Sequence, residues 1–123
     1  MVVGSATEEQ VSRGARRGAF MSNKQISEAA ARGRKVTFAF LSSQPAHEVI
    51  GYVVGMDDYH WMVASVVPEP APEQDPIAIV LVHKSADMIS LSSRNSFDQE
   101  TQEVQKALTD IGGAFWDYCT RNR

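Results

Sequence analysis

Apolar residues along this chain change period twice. Between Ser22 and Gly33 the pattern is that of a short helix: Ile26, Ala29 and Ala30 share one side, Ser22 and Gln25 have capping-box spacing, and Gly33 marks a stop, which predicts a helix over 23–32. From Lys35 the period becomes that of strands. Val36, Phe38 and Phe40 alternate on one face of a first strand over 35–41, and Ser42-Ser43-Gln44-Pro45 ends it. Stretches from His47 to Met56 and from Tyr59 to Val67 are apolar at nearly every position, as expected of strands covered on both faces. Between them, Asp57-Asp58 predicts a two-residue turn, with Gly55 as the place where the strand bends. Pro68, Pro70, Pro72 and Pro76 cannot continue a sheet, so 68–76 reads as an extended acidic loop. A fourth strand over 77–84 and a short fifth over 88–91 follow. After Ser96 the period is helical again through Val104, Leu108, Ile111, Phe115 and Tyr118; Gly112-Gly113 interrupts the run, so the segment reads as one amphipathic helix with a kink or as two consecutive pieces.

Five short strands after a helix suit a small, strongly bent antiparallel barrel with flanking helices, a mainly β chain. Its 123 residues allow one domain with a core. Charge is uneven along the chain. The first 35 residues carry seven Lys and Arg against three Glu, leaving +4 there and −7 in the rest. Residues 1–21, rich in Gly, Ser, Ala and Arg, read as a flexible basic arm. A basic end can attract phosphate by counterion release, and it can equally be a solvated tail.

Cys119 is the one cysteine, so the chain has no internal disulfide and no metal-binding cysteine cluster. No apolar run has the length of a membrane helix and the amino end lacks a secretory pattern, so the chain reads as soluble and cytoplasmic. His47, His60 and His83 match no metal-ligand spacing, and no serine or cysteine sits in a nucleophile motif. The expectation is a non-enzymatic protein without cofactor or metal.

The order Gly51, an aliphatic at 53, Met56, Asp57 and Tyr59 resembles the first sequence motif of the Sm-like family, which includes bacterial Hfq. The end of the fourth strand, Val80-Leu81-Val82-His83-Lys84, is similar to that family's second motif, where Hfq-type members have an aromatic-Lys-His triplet. Here the basic pair is reversed, Val82 replaces the aromatic, and the Ile-Arg-Gly of other members is absent. The resemblance makes residues 22–96 an Sm-like domain and 97–123 an appended carboxy-terminal helix. It implies a ring of six or seven copies, joined through the fourth strand of one and the fifth of the next, that binds single-stranded U-rich or A-rich RNA as a chaperone or post-transcriptional regulator. Within it, Tyr59 would stack a base, Asp58 would stand where many Hfq proteins have Gln, and Trp61 where Sm proteins read uracil with Asn. Lys84 would meet phosphate or a base edge, and His83 would stack or hydrogen-bond.

The residues also admit a plainer reading. Alternation puts Tyr59 and Trp61 on one strand face, where they would serve as packing; Asp57 would cap the turn; and His83-Lys84 would be a strand end entering water. A protein-interaction or assembly module on the same barrel, without nucleic acid, is the alternative function. The acidic body, the proline loop and the aromatic last helix favour it.

Overall fold

A computed structural model describes residues 21–93 and 95–122 of the chain. It contains α1 (Asn23–Ala31), β1 (Val36–Phe40), β2 (His47–Met56), β3 (His60–Val66), β4 (Ile77–His83), β5 (Met88–Leu91) and α2 (Gln102–Arg121), with one 3-10 turn at Phe97–Gln99. Residues 1–20 of the expected basic arm lie outside the described residues.

All five strands are antiparallel, in the spatial order β4-β3-β2-β1-β5. The sheet is mainly β with a helix at either end of the sequence, as the periodicity predicts. It is not closed into a barrel: among the described residues β4 pairs only with β3 and β5 only with β1. β2 joins the two halves of the sheet: its residues 47–51 pair with β1, and Tyr52, Val53, Gly55 and Met56 pair with β3. A Cβ on Gly51 would lie 2.4 Å from the Ala64 carbonyl oxygen, so the strand can change partner there because glycine leaves room for the β3 backbone. Where the sequence places a bend at Gly55, the ladder has a register irregularity between Val53 and Gly55. A Cβ at Gly55 would make only ordinary contact with Met62; the irregularity beside it is a bulge that leaves Val54 without a partner in the ladder.

Two apolar clusters result from this strand, because alternate residues point to opposite sides. Val53 joins Ile26, Phe38, Trp61, Val63 and Val82 in the cluster under α1. Tyr52 and Val54 join Ala64, Ile77, Val104 and Leu108 in a second cluster under α2. The double-sided apolar pattern of 47–56 thus reflects a strand covered on both faces. α1 begins with the predicted capping box, the Ser22 side chain accepting from the Gln25 backbone while Gln25 Oε1 accepts from the Ser22 N–H, and Gly33 follows its end with φ +67°.

Of the two forms the sequence leaves open for the last helix the structure has the single one, and α2 runs unbroken for 20 residues through Gly112-Gly113. Gly112 faces the second cluster, where a Cβ would fall 2.6 Å from Val54 Cγ1, so the glycine lets the helix lie directly on β2. Beside it Trp116 Nε1 donates to the Val53 carbonyl at the bulge (2.7 Å). The entry to α2 is held by Glu100, a largely buried carboxylate that accepts from the Tyr52 hydroxyl (2.5 Å) and pairs with the Lys35 ammonium (3.1 Å). Burial first, and then the Glu100 hydrogen bond, push the Tyr52 phenol far above its ordinary pKa. The 68–76 loop is drawn together at its base, where the Val67 N–H donates to the Pro76 carbonyl, and it contains a turn at 71–74.

Candidate nucleic-acid interface

The β3–β4 ladder sets His60 opposite His83, so the turn before β3 and the residues after β4 meet at one end of the sheet. The Lys84 N–H donates to the Tyr59 carbonyl (2.8 Å), which binds the two segments together beyond the last rung. The sequence places these segments 24 residues apart, and only the pairing of β3 with β4 makes them one surface.

The turn preceding β3 covers residues 57–59 instead of two residues. Asp57 Oδ1 accepts from the backbone N–H of Tyr59 (2.8 Å) and of His60 (2.6 Å), which is the capping role expected for it. Those two bonds hold its carboxyl below the usual aspartate range. His60 Nδ1 adds a 3.2 Å contact to the same oxygen. Asp58, beside it, is exposed.

The expectation that Tyr59 and Trp61 share a strand face fails, because Tyr59 belongs to the turn and escapes the alternation of β3. Its side chain is 67% exposed, whereas Trp61 is wholly buried in the α1 cluster. Trp61 therefore packs beneath this surface and offers no ring face on it for stacking a base. The Lys84 ammonium lies 4.9 Å from the centroid of the Trp61 ring, folded inward from the end of β4. His83 is exposed and stands edge-on to His60, with ring centroids 5.4 Å apart. The Ser85 backbone N–H donates to His83 Nδ1 (3.1 Å), which puts the proton of the neutral ring on Nε2.

Of the five sequence-predicted residues, the structure thus brings Asp58, Tyr59, His83 and Lys84 to one end of the sheet and places Trp61 beneath them. His60 was missed as a member of this surface. Its register opposite His83 could be found only from the strand pairing. Among the described residues, no group of three or more His, Cys, Asp or Glu is arranged to hold a metal ion, and no helix is long and apolar enough to cross a membrane.

The fold and this surface define a five-stranded antiparallel sheet, helix-flanked, with Asp57, Asp58, Tyr59, His60, His83 and Lys84 at one end. Compared with family models, curated proteins and solved structures, the chain matches none.

Proposed function

We propose that this protein is a non-catalytic, Sm-like binder of single-stranded RNA, acting as a ring of identical subunits. The observation that carries the reading is the backbone junction of Tyr59 with Lys84, which brings an exposed aromatic ring to the end of β4 that carries the exposed His83 and the half-buried Lys84. An exposed tyrosine face stacks a base for about 1–3 kcal/mol, and imidazole and ammonium groups supply hydrogen bonds and charge for the backbone. Strand order adds support, since the two edge strands are β4 and β5, the pair through which an Sm-like ring would be joined and its barrels completed. Open edges are a liability that pairing between copies removes. One position of the β5 edge is already occupied, the Ile89 carbonyl accepting from the Met21 N–H (3.1 Å), so a neighbour would pair along the remainder.

Titration of labelled U-rich and A-rich RNA at two salt concentrations tests the proposal. Tyr59→Ala is expected to weaken binding about five- to a hundredfold, the loss of one stacked base. Lys84→Ala should weaken it and also flatten the salt dependence. A folded parent protein that binds neither RNA at low salt refutes the RNA reading.

A protein-assembly role without nucleic acid is favoured by a different observation. Ile79 and Leu81 on β4 are 44% and 60% exposed, and Ile111 of α2 is 43% exposed. Asp75 and Asp110 lie with Ile79 and Ile111 around one groove. A monomer or dimer in light scattering, with no nucleic acid bound, would support this role over the ring.

A further inference from the structure

A cavity of about 280 Å³ lies where the first turn of α1, the end of β2 and the last turns of α2 converge, close to the lower size of small-molecule sites. Trp61 and Lys84 line it from the sheet, Asn23 and Ser27 from α1, and Tyr118 and Asn122 from α2. Among the described residues, Trp61 Nε1 is the one buried side-chain nitrogen or oxygen that finds no hydrogen-bond partner. A buried N–H left unpaired destabilises the fold, and an acceptor seated in the cavity is the group that would relieve it. Charge selects the acceptor. Lys24, Glu28 and Lys84 all line the cavity, two cations against one carboxylate, and neither lysine forms an ion pair with another described residue. The amides of Asn23 and Asn122 and the hydroxyl of Ser27 add donors, and Met56 and the Tyr118 ring form apolar walls. The amino end of α1, whose backbone dipole favours negative charge, lies at the same cavity.

We infer that this cavity binds a small organic anion, a carboxylate or phosphate monoester on a compact apolar body. The anionic oxygens accept from Trp61 Nε1 and Lys84, and the body rests against Met56 and Tyr118. Cys119 also borders the cavity, and burial raises its thiol pKa despite a hydrogen bond with Ser27, so it adds no charge to the wall. The site is contained within one copy of the chain and does not rest on the RNA reading.

Calorimetric titration of the full chain with benzoate and with phenyl phosphate, with benzamide as the neutral control, tests it. The expected result is saturable binding of at least one of the two anions at one per chain, at least tenfold tighter than benzamide. Trp61→Phe and Lys84→Met should each weaken that binding at least tenfold, while Tyr59→Ala, outside the cavity, leaves it intact. Proton-nitrogen NMR of the unaltered protein supplies a reading that does not depend on the variants folding. The anion should move the indole N–H resonance of Trp61, while that of Trp116, already bonded to the Val53 carbonyl, stays in place. No saturable binding of either anion overturns the inference. Equal binding of benzamide overturns the charge assignment, and an unmoved Trp61 resonance on saturation overturns the site. Loss of RNA binding with Tyr59→Ala while the anion still binds keeps the two proposals separable.

Discussion

A Cβ on Gly112 would fall 2.6 Å from Val54 Cγ1 and 3.2 Å from Trp116 Cε2, whereas one on Gly113 would meet nothing closer than Thr109 Cγ2 at 3.6 Å. The same substitution at the two positions should therefore have opposite signs. Gly113→Ala is expected to stabilise by up to about 1 kcal/mol through helix propensity alone. Gly112→Ala should cost about 1–3 kcal/mol, because the helix must lift from β2. Urea denaturation of the pair checks both, and a stabilised Gly112→Ala would show that α2 does not press on Val54. A different residue-scale effect arises at Asp87, whose Oδ2 accepts from the Leu41 N–H (2.6 Å), the Ser42 N–H (3.0 Å) and the Ser42 hydroxyl. The Ser42 bonds, with that of Leu41, lower its pKa below the ordinary 3.8. A carboxylate with a depressed folded pKa stabilises fully above its unfolded value, and that contribution disappears as pH falls through the folded one. Asp87→Ala should accordingly lower the melting temperature near neutral pH, with the gap from the parent closing only below pH 3.8. A gap unchanged down to the acid limit would show that the carboxylate charge is not responsible.

At the scale of elements, α2 is fastened at three points by residues far away in sequence. Glu100 is bonded to Tyr52 and Lys35 at its entry, Gly112 rests on Val54 midway, and Trp116 donates to Val53. Tyr52→Phe preserves the ring in the second cluster and removes only the hydroxyl. Lys35 still pairs with Glu100, so the expected cost is about 1–2 kcal/mol. Hydrogen exchange in the first turns of α2 should accelerate relative to α1; an equal change in both helices would mean that the hydroxyl does not act at the α2 entry. The helices and strands themselves were legible from period alone, because each sits at a boundary between core and solvent and records that boundary in its apolar spacing. The fastening was not. Gly112 looked like a helix breaker since propensity is local, while its role is set by Val54, 58 residues away.

For the whole molecule, the free edges decide what the chain can become. β4 shows Ile79 and Leu81 to solvent, Ile79 sharing a groove with the exposed Ile111 of α2, and among the described residues no strand pairs with its outer side. Under the ring proposal, Leu81→Lys should reduce the solution mass toward that of one chain, since a charge on an edge strand opposes strand addition. Size exclusion with light scattering measures this. A parent protein that is monomeric at every concentration would remove the ring. The candidate surface at the other end of β4 was legible only in part. Tyr59, His83 and Lys84 were picked out by type and by the resemblance, but His60 was missed, and Trp61 was placed beside Tyr59 because strict alternation was carried one residue too far into the turn.

By itself the sequence determined the number, order and kind of the elements, the cap and stop of α1, and the capping carboxylate at Asp57, all of which depend on neighbours within a few residues. Tertiary structure decided where β2 changes partner, that α2 passes unbroken over β2, and that the Tyr59 turn and Lys84 form one surface. These outcomes depend on contacts between residues distant along the chain, such as Gly51 with Ala64 and Tyr52 with Glu100, and local spacing carries no record of them.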